Sequence, residues 1–145
     1  MVEEEHFFVN YTRRDLGLLL PALAAASGQA QPKAPLPSKA YKYEDLTVRG
    51  TGRAVLNGTT HSGFPIEMHI TELAAGQAPH PPHQHVHEEV LMLRSGQLDA
   101  TILGVTTRVT AGSVLYLASN DLHGWRNPGP DPAQYFVMSL GGDSA

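Results

Sequence analysis

The chain has 145 residues, with ten basic and fourteen acidic side chains, and its formal net charge is −4 with neutral histidine. This length predicts one domain, large enough to bury a core without disulfides or a structural metal. The chain contains no cysteine, which excludes disulfides, thiolate catalysis and cysteine-ligated zinc. The sequence has no basic stripe or aromatic-basic platform of the kind that binds nucleic acid. Any metal ion must therefore be held by histidine, carboxylate or water.

Residues 1–30 differ from the rest of the chain and have the layout of an export signal. Arg13 and Arg14 precede an apolar run at residues 16–26, and small residues follow it. The run is shorter than the roughly 20 residues that a membrane-spanning helix needs. Its order of charge, apolar run and small residues is typical of a signal peptide, and the arginine pair resembles the twin-arginine signal that exports folded proteins. This pattern predicts a periplasmic or secreted mature protein without a membrane anchor.

Residues 1–30 have a second interpretation, and the position at which an export signal would be cleaved is left open. Residues 3–5 are all glutamate, which is unusual near a signal peptide. The alternative is an amphipathic N-terminal helix that docks on the domain or on a partner, in which case the protein stays in the cytoplasm. Cleavage after Ala26 and cleavage after Ala30 both fit the small-residue exit. Residues 31–45 begin with a proline-rich polar stretch and are predicted to form an extended linker.

The pattern of residues 46–141 predicts an all-β domain. Short apolar runs are separated by glycine, asparagine and proline, and no helical periodicity of useful length lies between them. Strands are predicted at residues 66–71, 90–94, 97–102, 105–109, 113–118, 123–127 and 133–140. In the first of these, Glu67, His69 and Thr71 form the polar face. Such short strands at near-regular spacing favour a sandwich or a barrel and argue against parallel βαβ units.

Half of the eight histidines lie in one short segment ahead of the strand at residues 90–94. If this segment is an alternating strand, the members of one parity face the same way: His83, His85, His87 and Glu89. Two histidines that are two residues apart on one strand can bind one ion together with a carboxylate a few residues on, and a distant histidine, His123, then completes a set of three histidines and one carboxylate. Imidazole suits Zn, Cu, Fe and Ni, and an added carboxylate makes Fe and Mn equally suitable. A site of this kind leaves coordination positions open for water, substrate or O2.

The histidine segment resembles the first motif of the cupin family, G-x5-H-x-H-x3-4-E-x6-G. The matching residues are Gly76, His83, His85, Glu89 and Gly96. The interval from Gly76 to His83 is one residue longer than in the family, which predicts a longer loop there. All the metal-binding residue types of the motif are nevertheless present.

A later segment resembles the second cupin motif, G-x5-P-x-G-x2-H-x3-N. Gly112, His123 and Asn127 match it, whereas Ala118 and Asn120 stand where the family has proline and glycine. Asparagine adopts the left-handed conformation of a tight turn more readily than most residues. The replacements therefore affect turns rather than metal-binding groups. Asn127 is predicted to hold a turn through its side-chain amide.

The two resemblances together imply a small single-domain cupin of the cupin 2 conserved-barrel type. That family has a double-stranded β-helix, or jelly-roll barrel, with a metal ion inside, and its members are often homodimers. The motif match assigns four ligands to one divalent ion, which can be Fe, Mn, Ni, Cu or Zn: His83, His85, Glu89 and His123. His87 lies outside the motif and is predicted to be a neighbour of the site, as is His80 at the mouth of the barrel.

Alternation also predicts what surrounds the site. Leu91 and Leu93 share the parity of Glu89, and Trp125 shares that of His123. These three apolar side chains are predicted to line a substrate pocket beside the ligands. A mostly apolar pocket suits a small, partly apolar or aromatic molecule.

Three functions remain open on the sequence. The first is a metal-dependent dioxygenase similar to cupins of the quercetinase type, in which Glu89 also serves as a catalytic base when it releases the metal. The second is a non-redox isomerase, decarboxylase or lyase that uses the same site. The third is a module that binds a small molecule without catalysis, since no general base stands out beyond the metal set. Metal storage or a structural role is a further alternative.

Overall fold

The computed structural model describes residues 34–141, which are almost entirely β-structure. One 3-10 turn, Tyr43–Asp45, precedes the strands of this region. The strands are β1 (Thr47–Arg49), β2 (Gly52–Thr59), β3 (Pro65–Leu73), β4 (Glu88–Ser95), β5 (Gln97–Ile102), β6 (Val105–Thr110), β7 (Val114–Leu117), β8 (His123–Arg126) and β9 (Ala133–Leu140). The predicted export signal and the start of the predicted linker lie outside the described residues. Within the described part of the chain, no helix is long and apolar enough to cross a membrane.

The described strands form two antiparallel sheets. The large sheet has six strands in the order β1-β2-β3-β9-β4-β7, and the small sheet has three in the order β6-β5-β8. Strands that are distant in the chain are neighbours in the large sheet, since β9 lies between β3 and β4. The all-β architecture predicted from the short apolar runs is confirmed.

Turn residues place the strand ends close to the predicted positions. Leu103 and Gly104 both have positive φ, 49° and 82°, and form a two-residue connection between β5 and β6. Two-residue hairpins favour such left-handed positions because the turn then matches the twist of the strands. β5 and β9 coincide with the predicted ranges at residues 97–102 and 133–140.

The register of the large sheet defines its interior face, because paired residues on neighbouring strands point the same way. Leu91 of β4 pairs with Val137 of β9, and Leu93 pairs with Tyr135. All four side chains are at most 3% exposed. They join one core cluster with residues of the small sheet and of β7: Leu98, Ala100, Trp125, Leu115 and Leu117. The core therefore lies between the two sheets.

The interior face of β3 is its polar face. His69 pairs with Val137 and Thr71 with Tyr135, so both point into the barrel, as does Glu67. Met68 and Ile70, the apolar positions between them, lie on the opposite face of the sheet, where Ile70 is also buried at 5% exposure. The alternation was predicted from the sequence, but the direction of the polar face follows only from the pairing of β3 with β9.

Candidate metal centre

The histidine segment is a loop rather than the alternating strand that the sequence predicted. β4 begins only at Glu88, and His83 forms an isolated bridge with His123, with both backbone N···O distances at 2.9 Å. The backbone N–H of Asn120 donates to the carbonyl of His85 at 2.8 Å. These long-range backbone bonds hold the loop against β8 and its preceding turn. They bring the predicted ligands together although the predicted strand is absent.

Three of the four predicted ligands meet at one point in the barrel, and Glu89 lies beside two of them. The donor atoms of His83, His85 and His123 lie within 4.8 Å of one another. Glu89 Oε1 is 3.5 Å from His85 Nε2, and Glu89 Oε2 is 3.8 Å from His123 Nε2. His123 is 1% exposed and Glu89 is 9% exposed. The three histidine donors are therefore close enough to share one ion, and the carboxylate of Glu89 borders that group.

One atom of each of these side chains is buried without a hydrogen-bond partner: His83 Nδ1, His85 Nε2, Glu89 Oε2 and His123 Nε2. A buried polar atom left unpaired costs about 1–3 kcal/mol, so native proteins rarely keep several at one place. Each of these four atoms can supply a lone pair to a divalent cation, whereas the other unpaired atom nearby, Trp125 Nε1, carries a proton and cannot. The residues present therefore fit a metal ion.

Backbone carbonyls orient two of the imidazoles. His85 Nδ1 lies 2.8 Å from the carbonyl of His87, and His123 Nδ1 lies 2.7 Å from that of Asp121. A carbonyl oxygen only accepts, so in each ring Nδ1 carries the proton and donates it. The Nε2 atoms then present lone pairs to the site. Hydrogen bonds of this kind set the tautomer and ring orientation of metal-binding histidines.

Electrostatics keep His83 in the form that a metal ion needs. Burial is the main cause that lowers the pKa of His83, and the nearby histidines add to the effect. The carboxylate of Glu89 acts in the opposite direction. A lowered pKa favours the neutral imidazole, which is the form that coordinates metals.

His87 lies closer to the site than a surface neighbour would. Its Nε2 is 3.3 Å from Glu89 Oε1, and its ring stacks on that of His85 with centroids 3.6 Å apart. The donor atoms of His85, His87 and Glu89 form a second group within 4.8 Å. His87 therefore contacts the carboxylate directly, beyond what the motif assigns to it.

The predicted pocket residues lie on the interior side of the site. Leu91 and Leu93 are 0% and 2% exposed and belong to the core. Trp125 stacks on His123 with ring centroids 6.0 Å apart and borders a cavity of about 400 Å³. His80 lines the same cavity and packs edge-on against His83 at 4.1 Å. The two leucines are core residues and line none of the cavities of the described region, whereas the cavity beside Trp125 takes most of its wall from the outward face of the small sheet, at Asp99, Thr101 and Arg126.

Glu67 and His69 lie near the site although the sequence motifs do not assign them to it. Both face the interior, and His69 Nδ1 lies 3.1 Å from each carboxylate oxygen of Glu67. Their spacing of two residues on one strand was the available signal. This spacing predicts only a polar face, because periodicity does not say which face of a strand is buried.

The fold is an antiparallel β-barrel, and three histidines and a glutamate lie inside it. This combination is typical of β-barrel proteins with an internal metal site. Residues 69–139 match the family model described as cupin domain. The chain therefore contains a cupin domain, of the small cupin 2 conserved-barrel type. No match is found among the curated proteins.

Solved structures of low sequence identity share the fold. An RmlC-like cupin from Shewanella frigidimarina is 17% identical with a TM-score of 0.58, over 74% of this chain and 95% of that one. An RmlC-like cupin with a double-stranded β-helix from Methanocaldococcus jannaschii is 16% identical with a TM-score of 0.58, over 73% and 93%. KdgF from a Halomonas species is 16% identical with a TM-score of 0.57, over 71% and 94%. These likenesses confirm the predicted double-stranded β-helix.

Proposed function

We propose that this protein is a metal-dependent enzyme that acts on a small molecule at the histidine–glutamate site, with oxygenation as its reaction. The observation that carries the proposal is the group of four buried donor atoms without protein partners. A binding module without metal would leave these atoms unsatisfied, at a cost in stability. When bound, the divalent metal supplies Lewis acidity and, for a redox-active ion, a route for electrons to O2.

The side chains around the site have separable roles. His83, His85 and His123 hold the ion through neutral imidazole nitrogens. Glu89 is an anionic ligand and also the candidate base, and its Oε1 is held by His87 Nε2 at 3.3 Å. Trp125 excludes water from one side of the site.

The dry side of the site favours oxygen chemistry on a partly apolar or aromatic substrate. Leu91 and Leu117 are fully buried, and Trp125 is 7% exposed. Such walls exclude water, which protects reactive species from side reactions. An aromatic or enediol substrate that reaches Trp125 would lie against the ring that stacks on His123.

The metal content of purified protein tests the site itself. We expect close to one Mn, Fe, Ni, Cu or Zn per chain by elemental analysis, and loss of that metal in His83→Ala and His123→Ala. The matched control is His61→Ala, because His61 is exposed in the turn between β2 and β3. Wild-type protein that carries no metal and takes none up from solution would remove the basis of the proposal.

Oxygen consumption tests the reaction class. Protein loaded with Fe or Mn is expected to consume O2 with at least one member of a panel of flavonols, catechols and diketones, and Glu89→Gln is expected to abolish this consumption. An oxygen electrode measures the rate, and Glu72→Gln, an exposed acid on β3, is the control. A fully loaded protein that is silent across the panel would count against oxygenation.

A non-redox isomerase or lyase is the second candidate, and one observation favours it. The Glu67–His69 pair lies on the same interior face as Glu89 and provides a proton-transfer group outside the ligand set. Isomerases and lyases need such a group to move a substrate proton. Silence in the oxygen assay, together with substrate-dependent proton exchange into solvent, would favour this candidate.

A further inference from the structure

The two oxygens of the Glu89 carboxylate have different surroundings. Oε1 lies 3.3 Å from His87 Nε2, within hydrogen-bonding distance. Oε2 is buried without a hydrogen-bond partner and lies 3.8 Å from His123 Nε2. A carboxylate only accepts hydrogen bonds, so His87 Nε2 carries the proton of the bond to Oε1. One oxygen is therefore held by a protein donor, and the other faces the histidine ligands without a partner.

His85 cannot replace His87 as the donor to Oε1. His85 Nε2 is 3.5 Å from that oxygen, but Nδ1 of the same ring donates to the His87 carbonyl at 2.8 Å. A neutral imidazole carries one proton, so His85 Nε2 is a lone pair and accepts rather than donates. The hydrogen bond on Oε1 therefore depends on His87.

The His87 ring is placed to hold the carboxylate rather than to coordinate the ion itself. It stacks on the His85 ring with centroids 3.6 Å apart and planes 7° apart. An ion bound to an imidazole lies close to the plane of the ring. An ion shared by these two parallel rings would lie roughly 1.8 Å out of both planes, nearly the full bond length of about 2.0–2.1 Å. His85 belongs to the three-histidine group and is the ligand, although the His87 donor atom lies within 4.8 Å of it.

Two contacts fix His87 against His85. The stacked rings are one, and the bond from His85 Nδ1 to the His87 carbonyl is the other. The side chains of His87 and Glu89 are only 17% and 11% exposed, so little water competes for the bond between them. A hydrogen bond to a charged group is stronger when it is shielded in this way.

We propose that His87 is a positioning residue that makes Glu89 a one-oxygen ligand. Its Nε2–H holds Oε1, so that only Oε2 is offered to the ion. The inference deepens the proposed function and rests on it, since it requires that the site bind a divalent ion. Three imidazole nitrogens and one carboxylate oxygen leave two positions of a six-coordinate ion open, whereas a carboxylate bound through both oxygens leaves one. His87 thereby sets how many positions a small molecule can occupy.

Two variants separate the hydrogen bond from the ring stacking. His87→Phe keeps a flat ring on His85 but has no N–H, and His87→Gln keeps an N–H donor but has no ring. Infrared difference spectra of zinc-loaded minus metal-free protein report the Glu89 carboxylate, whose bands are identified by their loss in Glu89→Gln. The asymmetric and symmetric stretches of a carboxylate lie further apart when one oxygen binds the metal than when both do. We expect a wide separation in the wild type and in His87→Gln, and a narrow one in His87→Phe.

A ligand that binds metals through two oxygens measures the open positions directly. Acetohydroxamate is the probe, and the visible absorption of the Co(II)-loaded protein reports its binding. We expect His87→Phe to bind the probe about tenfold more weakly than the wild type, as for other hydrogen-bond partners of metal ligands. His87→Gln should bind it nearly as the wild type does. The matched control is His61→Phe, the same substitution in the exposed turn between β2 and β3.

Two results would overturn the role of His87. In the first, His87→Phe has the wild-type band separation and the wild-type affinity for acetohydroxamate. In the second, His87→Phe and His87→Gln change both quantities equally, since the effect would then come from packing of the ring and not from its N–H. If His87→Phe does not fold, His87→Met takes its place because it also lacks an N–H donor.

Failure of this role and failure of the proposed function give different results. Elemental analysis of the same samples reports whether the site binds zinc and cobalt. A wild type that takes up neither ion would reject the proposed function and this role with it. A fully loaded wild type with a narrow band separation would reject the role of His87 alone.

Discussion

At the scale of single residues, the buried polar side chains are of two kinds: those whose hydrogen bonds are all made within the protein, and those with an unpaired atom. Asn127 is fully buried and completely paired: Nδ2 donates to the carbonyls of Leu73 at 3.0 Å and Asp131 at 2.7 Å, and Oδ1 accepts from the Gly129 N–H at 2.9 Å. The prediction that Asn127 holds a turn is confirmed by these bonds. The candidate ligands instead leave donor atoms unpaired. Paired groups of this kind stabilise the fold, whereas the unpaired set is compatible with a bound divalent metal.

Replacement of Asn127 with alanine should destabilise the protein markedly. It removes three hydrogen bonds and leaves the Gly129 N–H and two carbonyls without their partner, for a loss of about 3 kcal/mol in the free energy of unfolding. Urea denaturation followed by tryptophan fluorescence measures the change. Asn57→Ala is the matched control because Asn57 is exposed. Equal midpoints for the two variants would contradict the role given to these bonds.

At the scale of the strands, glycines in two of the turns fix how consecutive strands are connected. Gly96, between β4 and β5, has a φ of 79°, and a Cβ placed there would lie 2.7 Å from the Ala133 Cα and 2.8 Å from the Pro132 carbonyl oxygen. Gly112, between β6 and β7, has a similar φ of 89° with open space around it. Both are glycines of the cupin motifs. The positive φ angle favours glycine at both positions. Only at Gly96 is there also close packing against the start of β9, which leaves no room for a side chain.

This difference predicts unequal costs for the same substitution. Gly112→Ala should lose roughly 1–2 kcal/mol, the cost of a left-handed alanine. Gly96→Ala carries that cost and also displaces backbone at the start of β9, which adds about 1–3 kcal/mol as in other overpacked sites. Thermal unfolding of both variants measures the ordering. A Gly96→Ala protein as stable as Gly112→Ala would show that β9 moves aside freely.

At the scale of the whole molecule, the site is a product of long-range pairing. Glu89 comes from β4, His123 from β8, and the loop that carries His83 and His85 is held by backbone bonds to residues 120–123. The core beneath them joins both sheets. The interior face is polar at one end, across β2, β3, β9 and β4, and apolar further in. One end of the barrel interior is therefore closed and apolar, and the other end is polar and accessible to solvent.

The sequence by itself determined strands β3 to β9, the turns between them and the residue types of the site, but it did not predict β1 and β2. Alternation located β3, β5 and β9, because the period of a strand is a local property, and the spacing of the motifs selected the four ligands. The tertiary structure alone decided that the histidine segment is a loop bridged to His123, and that Glu67 and His69 face inward. Periodicity divides a strand into two faces without stating which one is buried. Only pairing with a strand about seventy residues away, β9, settles that choice.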